Sequence, residues 1–132
     1  MYEMKKEYFT NIPLIDEEHA QLFAYANQIY ELLQDDFIAD KYDNIRDLLQ
    51  KLMDYAKKHF ADEEAYMESI QYKKIFTQKI QHQAFVDELE KYDLEEIDQM
   101  EDQEAVIGKM LTFVTDWLVE HILHLDTQIG KE

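Results

Sequence analysis

The sequence predicts an all-α protein, an antiparallel up-down-up-down four-helix bundle. Three observations carry that prediction: four segments repeat apolar residues with the α-helical period, the connections between them are short, and only two glycines and one proline punctuate the chain. The turn signals that would bound strands and hairpins are missing. At 132 residues the chain has the length of one domain. Residues 1–132 therefore read as a single unit, with residues 1–15, which carry Pro13, as an irregular lead-in.

The first helix is expected from about Asp16 to Asp35, with Leu22, Phe23, Ala26, Ile29, Tyr30 and Leu33 on one face. Its Asp16-Glu17-Glu18 cluster suits a helix N-terminus, where the dipole favours negative charge. The second, from about Tyr42 to Met67, sets Ile45, Leu49, Leu52 and Ala56 at steps of three and four residues, the seam of a bundle helix. The third, from about Tyr72 to Tyr92, runs through Ile75, Phe85 and Leu89; the fourth, from about Gln103 to Thr127, runs through Ile107, Leu111, Val114, Leu118 and Leu125. Short connections near Asp36–Lys41, Glu68–Gln71 and Asp93–Asp102 favour antiparallel neighbours. The run Asp93-Leu94-Glu95-Glu96-Ile97-Asp98 has no period and reads as a solvated loop. No internal repeat, low-complexity tract or linker divides the chain.

Composition narrows the function. Hydrophobic residues make up 46% of the chain, enough for a sizeable core, and 33% charged residues suit a soluble fold. The 30 acidic residues against 13 basic ones give a net charge of −17, which repels phosphate backbones and anionic headgroups, so neither nucleic acid nor a membrane is an expected partner. No apolar run approaches the roughly 20 residues of a membrane span, and the N-terminal MYEMKKEYF has no hydrophobic signal core, so a cytoplasmic location is expected. Zero cysteines remove disulfides, iron–sulfur clusters, cysteine zinc sites and thiol nucleophiles together. Any metal must be held by nitrogen and oxygen.

The informative feature is what interrupts the apolar stripes. Three residues before Leu22 lies His19, the second stripe continues into His59 and Glu63, the third passes through Gln78 and His82, and the fourth reaches His121 after Leu118. Asp126 lies five residues beyond His121, an offset of ~140° on a regular α-helix; a local π-bulge would bring it round. Taken singly, each residue has an ordinary reading, as a hydrogen-bonded core histidine or a solvent-reaching acid. Taken together they converge, because all four helices supply a seam imidazole and two add a carboxylate. Burying so many polar groups costs several kcal/mol unless they are paired or bind metal, at ~2–7 kcal/mol for each unpaired amide or hydroxyl. Two divalent cations bridged by carboxylates would satisfy them at once, and imidazole plus carboxylate suits iron or manganese, with zinc also open. The ferritin-like alternative requires Glu-x-x-His on two helices, yet the residues three before the histidines are Asp16, Ala56, Lys79, Leu118 and His121. A His-Glu-x-x-His helix and a glycine-rich phosphate loop are absent as well.

The order His19, His59-Phe-Ala-Asp-Glu63, a half-motif ending at His82, then His121-Ile-Leu-His-Leu-Asp126 closely resembles the hemerythrins, specifically the short bacterial ones. The resemblance spans nearly the whole chain. It includes Ile15 to Phe23, His59-Phe60 with Glu63-Glu64 and Met67, Tyr72, His82-Gln83-Ala84-Phe85, and Trp117 to Ile122. It implies a non-haem di-iron centre in which Glu63 and Asp126 bridge the metals and His19 and His59 hold the iron whose open position takes O2. The other iron of the family has three histidines, two of which match His82 and His121. The third position, four residues before His82, is Gln78 here, so one of the usual ligands is replaced by a weaker, neutral donor. His124 falls at the edge of the seam beside Trp117 and reads as a partly exposed histidine rather than the substitute ligand. Tyr25, Tyr55, Tyr66 and Trp117 read as packing aromatics.

The resemblance implies O2 binding for carriage, storage or scavenging, with binding favoured over catalysis. Three alternatives stay open at this point. The first is a di-iron enzyme that reduces peroxide, O2 or nitric oxide, motivated by Gln78; the second is an oxygen- or iron-responsive sensing module; the third is a purely structural acidic bundle. The expected partners are O2 or another small diatomic or peroxide ligand, and the chain is expected as a monomer or weak homo-oligomer.

Overall fold

The apolar stripes fold into four helices: α1 (Pro13–Gln34), α2 (Lys41–Ser69), α3 (Ile75–Glu90) and α4 (Gln103–His121). A 3-10 turn, Lys6–Tyr8, precedes α1, and α4 continues through a π-helical turn, Ile122–Asp126, into a closing helical turn, Thr127–Ile129. The computed structural model describes residues 3–35, 41–92 and 103–131. The expected connections at 36–40 and 93–102, including the acidic loop that begins at Asp93, lie outside the described residues.

Contacts across the helices fix their directions. Lys41 Nζ, at the start of α2, donates to the Leu33 carbonyl near the end of α1 (3.2 Å). Lys57 pairs with Glu90 (3.3 Å), and Met67 and Tyr72 pack together across the turn from α2 to α3. Phe85 and Trp117 meet at 4.4 Å between ring centroids, while Lys74 reaches Gln128 (3.0 Å). α1 packs on both α2 and α4, which closes the up-down-up-down bundle.

The core is divided. A large cluster contains Leu22, Phe23, Ala26, Ile29, Ile45, Leu49, Leu52, Phe85, Leu111, Val114 and Leu118. A small cluster at the other end holds Ile12, Ile15, Met67, Tyr72 and Ile129. Along every helix the polar seam residues fall between these two apolar layers. The bundle is therefore a long apolar stack interrupted near one end by a polar layer.

The small end is pinned by local devices that sequence periodicity did not reveal. The lead-in expected to be irregular through residue 15 is shorter than that, because α1 begins at Pro13, whose fixed φ and missing N–H suit the first helical position. Asp16 is thus inside the first turn, and its carboxylate reaches back: Oδ1 accepts from Thr10 N–H and Thr10 Oγ1 (both 2.8 Å), and Oδ2 accepts from Asn11 N–H (3.1 Å). The third helix starts at Ile75 rather than Tyr72. Before it, α2 ends in a Schellman turn, with Tyr72 N–H donating to Met67 O (2.9 Å), Gln71 N–H to Glu68 O (3.1 Å) and Gln71 at φ 54°. The accompanying Met67 and Tyr72 contact belongs to the small cluster. A glycine usually fills the left-handed position; glutamine here hides the turn from a glycine-based reading.

Gly130 docks the end of the chain against residue 10. A Cβ built there would overlap the Thr10 carbonyl oxygen, which is held in place by the Asp16 bracket. Gly130→Ala should therefore destabilise the protein by about 1–3 kcal/mol, the usual cost of overpacking, measured by denaturant unfolding. Gly108→Ala, where an added Cβ meets nothing within 4 Å, should be neutral or slightly stabilising in the same assay.

Candidate metal centre

Each helix delivers its polar residues to the same layer. His19 comes from α1, His59 and Glu63 from one turn of α2, Gln78 and His82 from one turn of α3, and His121 from the end of α4. All six are buried. Asp126 is buried with them because the segment after His121 winds as a π-helix, with Thr127 N–H bonded to Ile122 O. The wider turn absorbs the extra residue that would aim an α-helical Asp126 elsewhere.

Glu63 and Asp126 each face both sides of the layer. Glu63 Oε2 lies 3.3 Å from His59 Nε2 and 3.6 Å from His19 Nε2; its Oε1 lies 3.1 Å from His82 Nε2 and 4.0 Å from His121 Nε2. Asp126 repeats the pattern, with Oδ2 3.1 Å from His19 Nε2 and Oδ1 3.1 Å from His121 Nε2. Two four-residue groups result, His19, His59, Glu63 and Asp126, and His82, His121, Glu63 and Asp126. Within each, the donor atoms lie within 4.8 Å of one another. Gln78 joins the second side, where its Nε2 donates to Asp126 Oδ1 (3.0 Å).

Hydrogen bonds leave this layer incomplete. Both nitrogens of His19, both carboxylate oxygens of Glu63, Gln78 Oε1 and Asp126 Oδ2 are buried without a hydrogen-bond partner among the described residues. An unsatisfied buried polar group costs about 1–3 kcal/mol, so such a concentration requires compensation. Imidazole, carboxylate and amide oxygen are the donor set of a divalent first-row metal, and the residues present fit one on each side.

Electrostatics within the layer are strongly coupled. Burial alone would push His59 down, yet the Glu18 and Glu63 carboxylates outweigh it and raise its pKa to about 10. His19 is likewise raised, because Asp126 and Glu63 overcome the effect of burial. For Glu63 burial acts upward, and the His19, His59 and His82 rings overcome it to hold the carboxyl well below its ordinary range.

A second ring of side chains orients the imidazoles. His59 Nδ1 meets Glu18 Oε1, His82 Nδ1 meets Glu64 Oε2, and His121 Nδ1 meets Gln81 Oε1, all at 2.9 Å. An acceptor on Nδ1 fixes a proton there, so that Nε2 is the nitrogen left to face the centre and, once it has released any proton of its own, to hold a metal. Glu18 is itself fixed by Lys58 Nζ at 2.8 Å. Phe60 stacks on His82 (4.1 Å, 11° between planes) and Trp117 on His121 (4.3 Å, 11°), so Trp117 is a packing aromatic with a specific duty.

The sequence reading did not assign Glu18, Glu64 or Gln81 this role. A signal exists: each is the chain neighbour of a seam residue, His19, Glu63 or His82, and orients a histidine on the adjacent helix. One step along a helix turns a side chain by ~100°, from the seam to the flank that faces the next helix. His124 stays outside the layer, 71% exposed and paired with Glu120 at 3.0 Å. Tyr25 and Tyr55 pack edge to face at 5.9 Å, and Tyr66 packs on the small cluster.

Comparison with known proteins agrees with this arrangement. Residues 10–130 match the hemerythrin HHE cation binding domain. The chain is 45% identical over 128 residues to a bacteriohemerythrin of Clostridium acetobutylicum, covering 97% of this chain and 98% of that one. A bacteriohemerythrin of Methylococcus capsulatus is 30% identical over 94% of this chain and 89% of its own. A myohemerythrin of Sipunculus nudus is 28% identical over 86% of this chain and 78% of its own. With a family match across the bundle and two pairs of histidines disposed about two carboxylates, this chain belongs to the hemerythrin family.

Proposed function

We propose that this protein binds O2 reversibly at a non-haem di-iron centre, with His19, His59, Glu63, Gln78, His82, His121 and Asp126 as the residues that hold the metals. One observation carries the reading: Glu63 and Asp126 each turn one oxygen toward a histidine on either side of the layer. That is the disposition of two carboxylates that each span a pair of cations.

The two sides are unequal. His19, His59 and one oxygen from each carboxylate supply four donors on one side, and His82, His121, the other two oxygens and Gln78 supply five on the other. A metal that takes six ligands therefore has more room beside His19 and His59, and that is where an exogenous ligand is expected. Iron in its reduced state supplies the electrons and the coordination position that O2 requires. The chain supplies the rest: Glu18 and Glu64 orient the His59 and His82 rings with Nε2 inward, and Leu22, Phe23 and Ile122, buried within about a turn of His19 or His121 along the chain, would keep the site dry. Manganese and zinc fit the same donors and are proposed as substitutes rather than the working metals. No described helix is long and apolar enough to cross a membrane. The −17 charge disfavours nucleic acid and anionic membrane surfaces as partners.

A second reading, reduction of peroxide, O2 or nitric oxide, is favoured by Gln78 alone. Its Nε2 is committed to Asp126, so only the amide oxygen is left to serve the metal, and that is a weaker donor than imidazole. Optical spectra of the reduced, iron-loaded protein before and after air distinguish the readings. A persistent new band that disappears under vacuum supports carriage, and rapid bleaching with consumption of added peroxide supports turnover.

Three outcomes are expected. Metal analysis should give two irons per chain, and Glu63→Ala should lose at least one of them, since the remaining cations would repel without a shared carboxylate; unchanged metal content and affinity would reject the bridging role. His59, raised to about 10 in the metal-free chain, carries its proton at neutral pH, and a ligating imidazole must release it. Anaerobic Fe(II) uptake at pH 7 should thus acidify a weakly buffered solution, and affinity should fall as pH is lowered. Finally, Gln78→His restores an imidazole donor and should slow metal release to a chelator on the order of tenfold, whereas His124→Ala should leave metal content unchanged.

A further inference from the structure

α3 has two apolar faces, and the centre uses only one. Its inner face carries Gln78, His82, Phe85 and Leu89. On the outside, Phe76 is 75% exposed and Ile80 69%, the most exposed large apolar residues among those described. They belong to a longer exposed row: Lys73 in the turn before α3, then Phe76, Ile80, Ala84 and Asp87. The steps are three, four, four and three residues, so the row is symmetric about Ile80.

The surrounding charge is as unusual as the exposure. Residues 69–86 contain no Asp or Glu in a chain that has 30 of them, while Lys73, Lys74 and Lys79 fall inside. Asp87 then follows, one turn beyond Gln83, whose Nε2 it accepts at 2.8 Å. Along the exposed row the chemistry reads cation, large apolar, large apolar, small apolar, anion.

We propose that this face docks a second copy of the chain through antiparallel α3 helices about a two-fold axis at Ile80. A row reversed against itself about that axis sets Ile80 on the partner's Ile80. It sets Phe76 over the partner's Ala84, and Lys73 opposite the partner's Asp87. The pairing is self-complementary at every step: large on small, cation on anion, and an apolar centre on the axis. This is what an isologous interface demands, since each residue must suit its counterpart in both directions. Helices packed this way bury a seam at three- and four-residue steps. The gap in the acidic surface has a physical role here, because two chains at −17 repel everywhere except across a face that has shed its acids. A pair of 16-residue helices, each about 24 Å long, is a small contact compared with the roughly 1,600 Å² of standard stable complexes, so the dimer is reversible.

The test is sedimentation velocity on the full, iron-loaded chain over a concentration series at about 0.15 M salt, where the Debye length of ≈ 8 Å screens the net repulsion. The mass should rise from monomer toward dimer with concentration. Ile80→Glu places two like charges on the axis and should raise the dissociation constant on the order of tenfold or more, with metal content and far-UV circular dichroism unchanged. Lys73→Asp and Asp87→Lys should each weaken association, and the two together should restore it. Because the chain has no cysteine, Ile80→Cys should oxidise to a disulfide-linked dimer, whereas Glu31→Cys on α1 should not. A protein that stays monomeric up to about 1 mM, a dimer indifferent to Ile80→Glu, or a charge exchange that fails to restore association would each overturn the proposal.

Discussion

Two carboxylates buried among four imidazoles constrain everything else in this bundle. Glu63 and Asp126 are at most 1% exposed, and the atoms they present to the layer are in part without hydrogen bonds. Such a layer opposes folding by itself, so apolar packing must outweigh it on either side. The large cluster does this through most of the length of α1, α2 and α4, but the small cluster beyond the layer has five buried members among the described residues. That end is held by short-range devices instead: the Asp16 bracket, the Schellman turn at Gln71, and Gly130 against Thr10. The last has a direct bearing on the centre. Asp126 is four residues before Gly130, so the docked segment follows directly on the π turn that aims it inward.

The outer partners of the histidines distinguish one imidazole from the other on each side of the centre. One imidazole on each side, His59 and His82, leans on a carboxylate, His121 leans on an amide, and His19 Nδ1 has no hydrogen-bond partner among the described residues. A carboxylate on Nδ1 makes an imidazole a stronger donor through Nε2. Each side thus has one strengthened histidine and one ordinary one. Lys58 tempers Glu18 from the solvent side and locks its orientation.

The fold was legible because helices with one apolar stripe leave little ambiguity: Ile45, Leu49, Leu52 and Ala56 are all in the core, as their spacing implies. The layer was legible because polar residues on a seam are conspicuous; the sequence placed His19, His59, Glu63, Gln78, His82 and His121 correctly on buried faces, and the π turn that Asp126 needed is present. Three kinds of feature were not. Helix ends depend on side chains bonding to backbone a few residues away, as Asp16 does, and periodicity carries no record of that. Gln71 performs a glycine's task in a left-handed turn, so residue type concealed it. Glu18, Glu64 and Gln81 act on other helices, and in an acidic sequence a buried glutamate looks like its solvated neighbours until the helices are assembled.

α3 shows why one helix was harder to read than the rest. Its inner face must present Gln78 and His82 to the layer, which removes two apolar positions from the stripe, while Phe76 and Ile80 place apolar residues on the opposite side. The two departures nearly cancel the contrast between faces on which amphipathic periodicity depends. Packing the inner face alone explains Phe85, Leu89 and the stacked pair of Phe60 and His82, but it leaves the outer row without a purpose in the isolated chain. Exposed phenylalanine and isoleucine one turn apart, set in the longest stretch free of acids in a chain at −17, are costly to keep in water. A helix that meets the metal layer on one side and another molecule on the other accounts for both halves of its composition with a single segment.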